Sequence, residues 1–91
     1  MTKKFELGQV VATPAALEAL EHSGQEPTFF LAKHSAGDWG DIVEDDRESN
    51  EQALREGGRL VSLYLTLKSE ALLVITEADR SVTTILLPDE Y

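Results

Sequence analysis

The final third of the chain constrains the fold most. Over residues 59–67, Leu60, Ser62, Tyr64 and Thr66 alternate with Val61, Leu63, Leu65 and Leu67. That two-residue period is the signature of a strand. Lys68-Ser69-Glu70 follows and reads as a hairpin turn. So short a link joins only antiparallel neighbours, because a parallel return needs a dozen or more residues. Residues 71–76 form a nearly continuous apolar run, the pattern of a strand buried on both faces. Glu77-Ala78-Asp79-Arg80 makes a second turn, residues 81–87 form the last strand, and Pro88 ends it. Three strands so connected predict an antiparallel meander.

The chain ahead of the meander reads as one strand and three helices. In residues 5–12, Phe5 and Leu7 alternate with Glu6 and Gly8 before Val10-Val11, which predicts a first strand with Gly8 at a bulge or edge. Thr13-Pro14 is a helix start: the hydroxyl caps free amides and proline suits the first helical position. Ala16, Leu17 and Leu20 supply the apolar stripe, Glu18 and Glu21 point outward, and Ser23-Gly24 stops the helix. His22 lies in the last turn, where a cation suits the helix dipole.

Pro27 opens a second helix running through Lys33, although Thr28-Phe29-Phe30 also suits a strand. Helix is preferred because proline costs little at a helix start and Gly37 would end it. Phe30, Leu31 and His34 then share one side, with Lys33 outside. Residues 45–56 predict a third helix, capped by Asp45 or Asp46, with acidic residues in its first turn and Gly57-Gly58 after its end. Ala53 and Leu54 face its core side. Asn50 sits mid-helix, where it either points to solvent or bonds the preceding loop. The expected architecture is a single α+β domain over residues 1–91, of order β-α-α-α-β-β-β. Its three- to four-stranded antiparallel meander packs on a helical layer.

Several functions are disfavoured by residue type. The chain has no cysteine, so there is no disulfide, thiolate zinc site or cysteine nucleophile. Seventeen acidic against 8 basic residues give a net charge of −9, which repels phosphate backbones and argues against nucleic-acid binding. The acidity serves solubility or docks the chain on a basic protein. No apolar run approaches the ~20 residues that span a bilayer, so no membrane role is expected. Met1-Thr2-Lys3-Lys4 is basic, but no signal-peptide core follows it, and the expected location is the cytoplasm.

Two polar clusters stand out. Residues 34–41 read His-Ser-Ala-Gly-Asp-Trp-Gly-Asp and contain the only tryptophan. Residues 76–81 read Thr-Glu-Ala-Asp-Arg-Ser. The first is either a helix-to-helix connection pinned by a buried Trp39, or a polar site in which His34 and Asp38 project toward a cleft. In the second, Asp79-Arg80 with nearby hydroxyls either satisfies a turn or joins that site. His34, Asp38 and Asp41 lack the spacing of a zinc or calcium site, so no metal and no other cofactor is expected. No Gly-x-Ser-x-Gly elbow or phosphate-binding glycine loop is present. Metal-independent ribonuclease chemistry needs an acid or base plus cationic and hydroxyl groups, and His34, Arg59, Tyr64, Thr76, Arg80 and Thr83 supply those types.

His34-x-x-Gly37-Asp38-Trp39-Gly40, Asn50, Gly58-x-Leu60-x-Ser62-x-Tyr64 and the tract from Thr76-Glu77-Ala78-Asp79-Arg80-Ser81 through Thr83-Thr84-Ile85-Leu86-Leu87-Pro88-x-Glu90-Tyr91 go together. This pattern, covering the chain from about Pro27 onward, resembles a family of small bacterial proteins found on plasmids and other mobile elements. The resemblance implies no activity, but it implies that the two clusters belong together. The expected function is therefore a non-enzymatic accessory or interaction protein of a mobile element. Its binding residues would be Trp39, Asn50, Ser62, Asp79, Arg80 and Thr83, and its partner another protein or a second copy paired at the meander edge. The alternative is a ribonuclease-like enzyme using His34 with Arg80 or Tyr64, and Asp38 beside them. The enzyme requires His34 near those groups in an open cleft. The interaction protein requires Trp39 and His34 packed, with an apolar or acidic patch exposed elsewhere.

Overall fold

In the computed structural model, which describes residues 2–91, the expected order of elements is present. Strand β1 (Gln9–Ala12) leads into helices α1 (Pro14–Ser23), α2 (Pro27–Ser35) and α3 (Glu44–Glu56). Strands β2 (Leu60–Leu65), β3 (Ala71–Thr76) and β4 (Val82–Leu86) follow, with a closing 3-10 turn at Pro88–Glu90.

The helix ends follow local chemistry. Thr13 Oγ1 accepts the Ala16 N–H, Pro14 opens α1, and Gly24 closes it in the left-handed region. The buried line of α1 is Ala16, Ala19 and Leu20, whereas Leu17, expected in the stripe, is half-exposed. Small alanines bring this side closest to the sheet and rotate Leu17 outward. Helix α3 differs from expectation at its start. Its cap position is Val43, without a side-chain bond, and Asp45 and Asp46 lie in the first turn. They face the free amides as charges rather than as caps.

The sheet order is β1-β4-β3-β2. Strands β2, β3 and β4 form the expected antiparallel meander. The sheet as a whole is mixed, because β1 joins β4 in parallel, with Val11 beside Thr84. Three helices separate β1 from the meander, and a crossover of that length permits parallel pairing. The first strand is also shorter than the predicted 5–12. Gly8 adopts φ +66°, where a Cβ would stand 2.3 Å from the Ser81 carbonyl oxygen. This close turn ends the extended run, and Phe5 folds inward.

Register puts Leu60, Ser62, Tyr64, Leu72, Val74, Thr76, Thr83 and Ile85 on one sheet face, all buried. The main core joins this face to Ala16, Ala19 and Leu20 of α1 and Phe30 and Leu31 of α2. A second cluster joins Leu60 to Phe5, Trp39 and Ala53 of α3. All three helices therefore cover the same face. The expected burial of β3 on both faces is only partly met: Ile75 is buried, but Leu73 on that second face is half-buried. Among the described residues, no helix is long and apolar enough to cross a membrane.

Candidate functional site

The two polar clusters meet through a buried relay. His34 comes from the last turn of α2, with Lys33 on the outer side as expected. Ser62, Thr76 and Thr83 come from three neighbouring strands, brought onto one face by the sheet register. His34 Nδ1 lies 2.6 Å from Ser62 Oγ, and Nε2 lies 2.9 Å from Thr76 Oγ1. Thr76 Oγ1 is 2.7 Å from Thr83 Oγ1, which donates to the Leu7 carbonyl at 2.7 Å.

That carbonyl sets the direction of every proton. Thr83 spends its single hydrogen on Leu7, so Thr76 must donate to Thr83. Thr76 then accepts from His34, which assigns the proton to Nε2 and leaves Nδ1 to accept from Ser62. The relay is complete with a neutral imidazole. Burial pushes the His34 pKa down to about 4. The ring is fully enclosed, with Phe5 at 5.2 Å and Trp39 at 5.7 Å, both edge-on. Among the described residues, every buried side-chain nitrogen and oxygen has a partner.

The other candidates occupy structural bonds. Trp39 is buried, lies 6.1 Å from Phe5 in a stacked arrangement, and donates from Nε1 to Glu51 at 3.0 Å. After it, Gly40 takes φ +78°, and a Cβ there would fall 2.0 Å from the Leu63 carbonyl oxygen. The missing side chain lets the loop lie along β2, where Leu63 N–H donates to the Trp39 carbonyl and Asp41 N–H to the Leu63 carbonyl. Asn50 extends this edge. Its amide donates to the Val61 carbonyl at 2.8 Å and accepts the Val61 N–H at 3.1 Å. It therefore bonds the strand that follows α3, neither solvent nor the preceding loop.

Tyr64 donates its hydroxyl to the Asp38 carbonyl, and burial pushes the phenol above its ordinary range. The Asp38 carboxylate is exposed and stands 3.3 Å from Lys33 Nζ. Arg80 bridges separate segments: Nη1 reaches the carbonyls of Gly58, Glu77 and Ala78 at 2.6–3.2 Å, and Nη2 reaches that of Ala53 at 3.0 Å. It thereby ties the end of α3 to the β3–β4 turn, with its guanidinium 5.8 Å from the centre of Phe5. Asp79 accepts from Ser81 N–H and Oγ, and these two bonds hold its carboxyl below the usual range.

Both His34 and Arg80 therefore touch Phe5, but they do not line a common cleft. A Ser–His pair acts as a nucleophile only where a substrate carbonyl reaches the hydroxyl and donors await the oxyanion. Ser62 is fully buried, and its histidine's other nitrogen is bound to Thr76. No group of three potential metal-ligating side chains occurs among the described residues. The residues that sequence reasoning missed are Phe5, expected in a strand, and Glu51, the indole's partner. Spacing marked Phe5 only as a strand residue, and no pattern marked Glu51.

The open surface lies elsewhere. A groove of about 440 Å³ runs between α2 and the β2 edge, lined by Phe29, Lys33, Asp38, Asp41, Leu65 and Leu67. Phe29 and Leu65 are each 53 % exposed and Leu67 is 77 % exposed. Comparison with protein-family models, curated proteins and solved structures returns no match.

Proposed function

We propose that this chain is a non-enzymatic interaction protein, in the setting its resemblance suggests, an accessory of a bacterial mobile element. The enclosure of His34 carries this reading. The one histidine in an acid–base constellation has both ring nitrogens bonded inside the core, and Arg80 spends its donors on backbone carbonyls. The groove beside α2 supports a docking role. Its exposed Phe29, Leu65 and Leu67 offer apolar contact, and Asp41, beside the Lys33–Asp38 pair, favours a partner segment carrying lysine or arginine. The net charge of −9 adds long-range attraction for such a basic partner.

Two assays test the reading. Purified protein, without metal, should leave a fluorogenic RNA uncleaved. Cleavage by the wild type that His34→Ala abolishes would favour the enzyme. A photo-crosslinking residue at position 67 should capture a discrete protein partner in cells, whereas the same residue at exposed Leu17 should not. Equal labelling from both positions would remove the groove from consideration.

A further inference from the structure

We infer that the groove beside α2 takes a short extended peptide from another protein. The peptide pairs its backbone with Leu65 at the open edge of β2 and turns two side chains, one apolar and one basic, into the groove. This rests on the docking role proposed above and adds the conformation and chemistry of the docked segment. Strand β2 is an outer strand of the sheet. Its even-numbered residues turn their backbone groups toward β3, as continued by Thr66 N–H, which donates to the Glu70 carbonyl at 2.9 Å. The odd-numbered residues turn theirs outward. Val61 is bonded on both groups by Asn50, Leu63 on both by the Trp39–Asp41 loop, and Leu67 N–H donates to Gln25 Oε1 at 2.9 Å. Leu65, between them, has neither its N–H nor its carbonyl bonded among the described residues.

This opening fixes the form of its occupant. From Leu63 to Leu67 the edge advances four residues, ~13 Å at ~3.3 Å each. About four residues of extended chain therefore fit between the Asp41 loop and Gln25, fewer than the five or six of an ordinary strand. A residue set opposite Leu65 can exchange two main-chain hydrogen bonds with it. Its side chain then shares the Leu65 face. The residues on either side of it project to the Tyr64 face, where the groove lies.

Charge and apolar surface select those two inward side chains. Phe29 reaches the groove exposed from α2 and offers apolar contact to one of them. Lys33, the one cation lining the groove among the described residues, is spent: its Nζ stands 3.3 Å from Asp38 and 5.4 Å from the centre of Phe29. Asp41, next to Gly40 in its bridge with Leu63, lines the groove exposed and without an ion-pair partner among the described residues. Asp45 and Asp46, exposed in the first turn of α3, add to the negative field four and five residues further on. The second inward side chain is therefore lysine or arginine, two residues from the apolar one.

NMR titration of the isotope-labelled chain tests this. The probes are acetyl-Gly-Leu-Thr-Arg-Gly-amide and its reversal, acetyl-Gly-Arg-Thr-Leu-Gly-amide, which cover both strand directions. One of them should bind with a dissociation constant of about 0.1–1 mM and shift the amides of Leu65 and Leu67 while leaving that of Leu17 in place. At ten times that constant, exchange of the Leu65 amide with solvent should slow about ten-fold. Glutamate in place of the peptide arginine should weaken binding at least ten-fold. Asp41→Asn should weaken it about three-fold and Phe29→Ala at least five-fold, both with far-ultraviolet circular dichroism unchanged. No shift from either peptide at about 5 mM, equal binding of the glutamate peptide, or unchanged Leu65 exchange near saturation would each overturn the inference. If Leu67 still shifts in that last case, only the backbone pairing falls. The docking role is decided separately, by capture from position 67.

Discussion

Acid should destabilise this protein through His34, and the size of the effect follows from the relay. In the folded chain the imidazole is neutral, because Nδ1 accepts from Ser62 and no carboxylate bonds the ring. Its folded pKa is about 4, against 6.5 for the free side chain. Between those values the unfolded chain binds a proton that the folded chain refuses. The contribution is therefore complete above pH 6.5 and is lost as the pH falls toward 4, below which both states are protonated. Two and a half pKa units correspond to about 3 kcal/mol. The assay is urea unfolding from pH 7.5 to 4 for wild type and His34→Gln. Carboxylates titrate in both proteins, so their effects largely cancel in the difference. The wild type should lose about 3 kcal/mol more than the variant across that range. Curves that run parallel, or a His34 resonance titrating near 6.5, would refute the buried neutral relay.

The remaining predictions concern other joints of the same core. Thr83→Val removes the last link, leaving the Leu7 carbonyl without this donor and the Thr76 O–H without its acceptor, while Thr76 still accepts from His34; urea unfolding should show a loss of about 1–3 kcal/mol, largely restored in Thr83→Ser. Gly40→Ala forces a Cβ onto the Leu63 carbonyl at positive φ, so a loss of about 2 kcal/mol or more is expected, together with faster amide exchange at Leu63 and Asp41. Arg80→Met removes the guanidinium donor from the Gly58 carbonyl and the second donor from the Ala53 carbonyl, which keeps the Gly57 N–H, while retaining much of the stem; thermal unfolding should show a loss of about 1–3 kcal/mol, and Arg80→Lys should recover less than half.

Much of the fold was legible because its signals are local. Thr13-Pro14, Gly24 and Pro27 mark helix ends through their own backbone chemistry. The turns at 68–70 and 77–80 are too short for any connection but a hairpin, so the meander follows from the spacing. The weight given to His34 and Trp39 was also readable, from residue type and flanking glycines. The first strand misled because alternation at Phe5 and Leu7 was carried past Gly8, whose close approach to Ser81 depends on a strand more than seventy residues away.

The sequence by itself determined the order of elements, most of their ends and the apolar character of both faces of β2 and β3. It did not determine what the polar residues do. His34 finds Ser62 and Thr76 at separations of 28 and 42 residues, Asn50 imitates a strand along β2, and Arg80 closes the end of α3. Only the tertiary structure decides these, because a buried polar group must take whichever complementary atom packing brings within hydrogen-bond distance. The same holds for the parallel pairing of β1 with β4. Local pattern states that a strand exists, but the direction of its pairing depends on where three helices bring the chain back.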